Sequence, residues 1–235
     1  DSAGITVTGD NSKVIYFTPR WSGLQLGFSF TPDAGQDGGE NVTAPTAPAP
    51  AFLNTDADGN NENVFALGIN YAGKFSGADV IVAAVYSGGT ATTNNATGAL
   101  NEDVQIWGLG GQVKYAGFTF AAGYADFGET GISVARAAAG ADAGSWWNIG
   151  LMYTTGPWDF SAGYFSGTAS AASTDANTRD LEHTNFAVSA TYRVAPGWVL
   201  ASDVIFFDLQ NRTPTTANAD DADGWMFVLS STLTF

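Results

Sequence analysis

Leu24-Gln25-Leu26-Gly27-Phe28-Ser29-Phe30-Thr31 is the stretch on which the fold turns. Every even position carries a large apolar side chain and every odd one a small or polar side chain. In an extended strand successive side chains point to opposite faces, so this octet makes a ribbon with one greasy face and one small, polar face. The alternation returns at Phe65, Leu67, Ile69 and Tyr71, at Phe118, Phe120, Ala122 and Tyr124, and at Trp147, Ile149, Leu151 and Tyr153. It returns again at Trp158, Phe160, Ala162 and Tyr164, at Phe186, Val188, Ala190 and Tyr192, and at Trp225, Phe227, Leu229, Leu233 and Phe235. The helical period of 3.6 is nearly absent.

Working outward from these runs predicts eleven strands, at about 12–18, 24–32, 62–72, 78–87, 103–115, 117–127, 145–155, 158–166, 183–193, 198–208 and 224–235. Most have the roughly 9–11 residues that cross a bilayer at a tilt of about 45°, against a mean of about 5–6 in soluble proteins. The connections alternate. Residues 19–23, 72–77, 116, 156–157 and 194–197 are short; 33–61, 88–102, 128–144, 167–182 and 209–223 are long and hold most of the acid. Strict alternation sends every long loop to one end of the sheet. The run at 43–50, Thr-Ala-Pro-Thr-Ala-Pro-Ala-Pro, reads as extended loop because proline cannot donate to a ladder.

Composition agrees. The chain has 235 residues, of which 13% are charged, about half the usual share of a soluble domain. Thirty-one aromatic residues (16 Phe, 8 Tyr and 7 Trp) argue against disorder. The longest apolar run, 80–86, is far short of a membrane helix, which needs ~18–20 residues. The net charge of −15 excludes a nucleic-acid partner, since phosphate contacts need clustered Lys and Arg. The absence of Cys excludes thiol chemistry and zinc–cysteine sites. No basic-then-apolar segment opens the sequence, which reads as a mature chain or a fragment.

A sheet that spans hydrocarbon must have no open edge, because each unpaired backbone group there costs several kcal/mol. The expected fold is therefore all-β, an antiparallel transmembrane β-barrel forming a single domain over 1–235, with lipid outside and water inside. Amphipathic rings favour headgroup depth. Tyr71, Tyr115, Trp147, Tyr153, Trp158, Tyr164, Tyr192, Trp198 and Trp225, with Phe118 and Tyr124, are expected to form aromatic girdles. Lys114 and Arg193 share parity with small residues and are expected to line the lumen; Asp159 and Asp203 read the same way. Lys13 shares parity with Ile15 and Phe17, so its facing is open, and the strand holding Asp203 has two apolar faces. Lumenal charges tune ion selectivity through the local field.

Other chemistry is weaker. Asp56-Ala57-Asp58-Gly59-Asn60-Asn61-Glu62 and Asp220-Asp221-Ala222-Asp223-Gly224 lack the glycine and glutamate spacing of a calcium loop, leaving at most weak divalent-cation binding by external loops and no metal or cofactor site. His183 lies near Asp180, Glu182, Ser173 and Thr184, yet no nucleophile motif accompanies it, so no enzyme is expected. Gly108-Leu109-Gly110-Gly111 lies within a strand and fails as a phosphate loop.

The C-terminal run Trp225-Met226-Phe227-Val228-Leu229-Ser230-Ser231-Thr232-Leu233-Thr234-Phe235 resembles the terminal assembly signal of Gram-negative outer-membrane proteins, with Phe227, Leu229, Leu233 and Phe235 as its apolar positions and Ser231 as a departure. Residues 13–33, through Tyr16-Phe17-Thr18-Pro19-Arg20-Trp21-Ser22-Gly23, resemble a strand–turn–strand of general diffusion porins, alphaproteobacterial ones above all; 198–208 is similar to their final hairpin. The resemblance implies a sixteen-stranded, homotrimeric, water-filled barrel in the bacterial outer membrane. It passes small hydrophilic solutes and ions passively, needs no cofactor, and meets lipid, lipopolysaccharide and the assembly machinery. Strand parity then predicts further residues before Asp1, about five strands and the constriction loop by analogy with the family. The rival is a short twelfth strand at residues 4–8. The alternative function is a smaller, non-conducting outer-membrane barrel with a structural or surface-binding role.

Overall fold

The computed structural model describes residues 8, 11–34, 61–94, 99–170, 180–212 and 221–234. Eleven antiparallel strands form one sheet: β1 (Val14–Phe17), β2 (Leu24–Asp33), β3 (Asn61–Phe75), β4 (Ala78–Ala91), β7 (Val104–Tyr115), β8 (Phe118–Asp126), β9 (Asp142–Thr155), β10 (Trp158–Ser170), β11 (Asp180–Ala195), β12 (Trp198–Arg212) and β13 (Ala222–Leu233). Two-residue strands β5 (Thr93–Asn94) and β6 (Ala99–Leu100) pair in the connection after β4, and a one-turn helix α1 (Val134–Ala137) lies in the connection after β8. Each strand pairs with its sequence neighbours, the up-and-down order of a barrel wall. The proposed strand at residues 4–8 and the proline run at 43–50 lie outside the described residues, apart from Thr8.

The short connections carry the turn chemistry that closes tight hairpins. Ser22-Gly23, Ser76-Gly77 and Ala116-Gly117 hold both central residues at positive φ (48° and 93°, 49° and 85°, 49° and 85°). That mirror-image turn matches the right-handed twist of paired strands. Gly156-Pro157 places glycine first (φ 55°) and Pro196-Gly197 places it second (φ 78°), the two positions where a proline-containing turn needs it.

All eleven expected strands are present, but most are longer than the alternation suggests. β3, β4, β9, β10, β11 and β12 run 13–16 residues, extended mainly at the long-loop end except for β3, which gains most at its short turn. Segments such as Gly88-Gly89-Thr90 and Thr168-Ala169-Ser170 are small or polar on both faces, so alternation stops while the backbone ladder continues. β1, β7 and β8 are shorter than expected, β1 most of all, with four residues where about seven were expected.

Exposure settles which face is which. Phe118 and Phe120 are 50% and 51% exposed, whereas Thr119 and Ala121 beside them are partly covered. The same holds for Leu26 and Phe28 against Gln25 and Gly27, and for Trp147, Ile149 and Leu151 against Trp146, Asn148 and Gly150. The apolar rows stand outward; the small and polar rows shelter one another on the opposite face. Among the described residues the large, fully buried side chains are Ile106, Val104 and Thr31. A soluble protein would bury its Phe, Trp and Leu; this sheet displays them, as a surface solvated by lipid tails does.

Outward rings form contacts along two lines. At the short-turn end lie Phe118–Tyr153 (centroids 4.5 Å apart) and Trp158–Tyr192 (4.5 Å); toward the long loops lie Trp107–Tyr124 (5.0 Å) and Trp147–Tyr164 (5.1 Å). From Phe118 to Tyr124, or Trp147 to Tyr153, is six residues, about 20 Å of strand.

Candidate functional site

Register defines the inner wall row by row. Nearest the short turns runs Lys74, Asp79, Lys114, Thr119, Met152, Ser161, Ser189 and Asp203, each beside the next on the neighbouring strand. Lys74 Nζ lies 3.1 Å from Asp79 Oδ1, both well exposed, and Asp79 sits directly opposite Lys114. Positive, negative and positive charges therefore alternate across three strands. In water such pairs add little stability, about 0–1 kcal/mol, but they set a local field.

Asp159 lies one step nearer the turns, opposite Thr191, and Arg193 is two residues further along β11. The Arg193 guanidinium donates from Nη2 to Asp159 Oδ2. Asp159 is only 15% exposed while Arg193 is half exposed, so the arginine screens the carboxylate from the open side. Asp203 takes its facing from its neighbours Ser189 and Val228, which resolves the two-faced strand. Phe17 opposes Gly27 and Ile15 opposes Ser29, so β1 carries apolar side chains on the small-residue face; Lys13, two residues before Ile15, follows their parity and donates to Thr8 Oγ1 at 3.0 Å.

The middle row reads Gln25, Asn70, Ala83, Gly110, Gly123, Asn148, Phe165, Asn185 and Phe207. Arg20, from the first short turn, reaches across its end. It donates to the Gly23 carbonyl at 2.6 Å, to Gln25 Oε1 at 3.0 Å and to Asn70 Oδ1 at 2.6 Å. The row beyond holds Gly68, Val85, Gly108, Ala125, Trp146, Gly167 and His183. His183 is thus inside a strand rather than at a loop rim, with Nε2 3.2 Å from Asn185 Oδ1.

At the long-loop end the same wall becomes dry. Inward Val104, Ile106 and Ala125 are 0–1% exposed, and Ala137 and Ala141 in the connection bearing α1 are buried too. That connection is tied down by Glu102 N–H to the Ile132 carbonyl (2.8 Å) and Gln105 N–H to Thr130 Oγ1 (3.0 Å). Among the described residues no three His, Asp or Glu come together as a metal site. Most of the 56–62 acidic run, together with Asp220 and Ser173, lies outside the described residues.

Sequence reasoning passed over Arg20, Lys74, Asp79, Trp146 and Phe165. Lys74 was lost because the strand was ended at Ala72; the Ser76-Gly77 turn dipeptide was the signal that it runs to Phe75. Trp146 and Phe165 are aromatic on the face expected to be small, and only strand parity against Trp147 and Tyr164 marks them.

The family model described as Gram-negative porin matches residues 1–212. The chain belongs to the Gram-negative porin family. The porin fold recurs in OccAB4 of Acinetobacter baumannii, at TM-score 0.58 and 14% identity over 94% of this chain and 52% of that one. It recurs in a loop L8 deletion mutant of OmpT, an outer membrane protein of Vibrio cholerae, at TM-score 0.53 and 11% identity over 94% and 62%. This porin chain therefore spans about half to three-fifths of the length of those structures. A comparison with curated proteins finds no match. The porin is a protein of the bacterial outer membrane, and its outward Phe, Trp and Leu rows are the lipid face.

Proposed function

We propose that this porin's inner wall bounds a water-filled channel through which small hydrophilic solutes and ions diffuse passively, without an enzymatic step or a cofactor. One observation carries the reading: a continuous sheet of eleven strands keeps its apolar rows outward and sets a face mainly of small, polar or charged side chains inward. Glycine and alanine inward leave space that a plugged barrel would fill with side chains. Lys114, Asp159, Arg193 and Asp203, with Lys74 and Asp79, are placed to bias ions at the short-turn end, and Lys13 to act nearer the long loops. The rings at Tyr71, Tyr115, Trp147, Tyr153, Trp158, Tyr164, Tyr192, Trp198 and Trp225 anchor the wall at headgroup depth. Phe227, Leu229 and Leu233, with Phe235 beyond the described residues, supply the assembly signal. A homotrimer in contact with lipopolysaccharide follows from the family resemblance.

Planar-bilayer recording on the full-length protein tests this. Stable ohmic steps that scale with salt concentration are expected; a protein that inserts and folds but never conducts would overturn the channel in favour of a structural barrel.

A further inference from the structure

Midway along the inner wall, β8 to β11 line a shallow, open hollow of about 330 Å³. Its floor is Ala121, Gly150, Gly163 and Ala187; its rim is Asn148, Phe165 and Asn185. These seven belong to two adjacent inward rows, and Ile149 and Tyr164 of the outward rows complete the lining. A Cβ on Gly150 would come no closer than 3.7 Å to the Ala162 carbonyl oxygen, and one on Gly163 no closer than 3.6 Å to that of Ile149. Neither glycine has positive φ. Glycine weakens a strand, so neither backbone conformation nor crowding accounts for it here. What glycine supplies at both places is room.

The rim is built and oriented. The edge of the Phe165 ring lies 3.2 Å from where a Gly167 Cβ would be, so the ring leans along the wall instead of standing into the channel. Trp146 flanks it at 6.1 Å with a 30° tilt, and His183 meets it edge-on at 5.7 Å. His183 also holds Asn185 through the 3.2 Å contact. The result is an aromatic surface between two amides, above a floor of glycine and alanine. From β8 to β12 the two rows contain no Asp, Glu, Lys or Arg.

We infer that this hollow is a subsite for neutral, hydroxyl-rich solutes of sugar-like chemistry. Each asparagine offers both a donor and an acceptor, which suits hydroxyls that do both. The ring surface suits the apolar C–H side of a sugar ring. An ion would find no opposite charge in these rows. The inference rests on the channel reading, and its test separates the two.

The experiment records full-length channels in planar bilayers with increasing sucrose, against a polyethylene glycol of matched hydrodynamic radius. Sucrose is expected to lower conductance along a saturating curve, while the polymer lowers it without saturation. Phe165→Ala is expected to raise the half-saturating sucrose concentration at least about fivefold. Gly163→Val, whose first added carbon has ordinary contact room, fills the floor and is expected to abolish saturation while ohmic conduction persists. Asn148→Ala with Asn185→Ala gives a third reading should either of the others fail to fold. Non-saturating sucrose in wild type, or saturation unmoved by the folded variants, overturns the subsite and leaves the channel standing. No conduction at all removes the channel and the subsite with it.

Discussion

The two faces can be weighed against each other with a single pair of neighbours. Phe120 points outward between Val113 and Leu151, about a third of the way from the short-turn line of rings to the other; Ala121 points inward between Gln112 and Gly150. Replacing each by lysine places one charge at nearly the same depth on opposite faces. Phe120 is 51% exposed, so about 100 Å² of a side chain of about 200 Å² touches lipid. Losing that contact costs about 2.5 kcal/mol at 25 cal/mol per Å². A lysine at this depth, between interface and midplane, adds about 1–3 kcal/mol. Phe120→Lys should therefore cost about 3.5–5.5 kcal/mol, reduced where the long side chain bends toward a headgroup. Ala121→Lys meets water and should cost under about 1 kcal/mol. Urea unfolding of the full-length protein from phosphatidylcholine vesicles, followed by tryptophan fluorescence, measures both. Equal costs, or a larger cost at Ala121, would refute the assignment of the faces.

Arg193→Ala strips the cation from Asp159, so the reversal potential in a potassium chloride gradient should move toward cation preference. Lys114→Glu should move it the same way, by leaving Asp79 beside a second carboxylate. Both shifts should shrink between 0.1 M and 1 M salt, as the screening length falls from about 10 Å to about 3 Å; shifts that persist undiminished would assign the effect to pore shape. Ala116 occupies left-handed backbone at φ 49°, a conformation that costs an L residue about 1–2 kcal/mol and that Asn tolerates. Ala116→Asn should raise unfolding free energy by about 1 kcal/mol in the same vesicle assay. Gly117→Ala, at φ 85° with its new Cβ 2.9 Å from the Thr154 carbonyl oxygen, should lower it by about 1–3 kcal/mol.

The strand set was legible because alternation is enforced wherever one face meets lipid. Where it is not enforced, at Gly88-Gly89-Thr90 or Thr168-Ala169-Ser170, strand ends were read too early. The candidate site was legible by half. Lys114 and Arg193 stand among small residues of one parity, so their face followed directly. Lys13 and Asp203 did not, because Ile15, Phe17, Ile205 and Phe207 put apolar groups on the inward face as well. Only lateral pairing with Gly27, Ser29 and Ser189 fixes them. Ser231 illustrates the reverse case. It departs from the apolar pattern of the last strand, yet its hydroxyl accepts the Trp198 indole N–H at 3.0 Å. A polar residue at an outward position satisfies a donor that lipid would leave bare.

The placement of charge along the wall follows from the same physics. Lys74, Asp79, Lys114, Asp159, Arg193 and Asp203 all fall within the two inward rows nearest the short turns, or one residue step beyond them. From β8 to β12 the two rows above carry no charge and are built of amides, rings, glycine, alanine and Ile205. Screening confines a charge's influence to about 8–10 Å at physiological salt, roughly three residues of strand. In the proposed channel, a solute moving along β8 to β12 from the long loops would meet hydrogen bonds and ring surfaces before it meets the charged rows. Such an arrangement separates the two kinds of discrimination along the path. Substitutions in the charged rows should alter ion preference without touching sugar saturation. Substitutions at Asn148, Phe165 or Asn185 should do the opposite. Coupling between the two sets, measured in the double variant Lys114→Glu with Phe165→Ala, should be near zero, since they lie on different rows and share no partner.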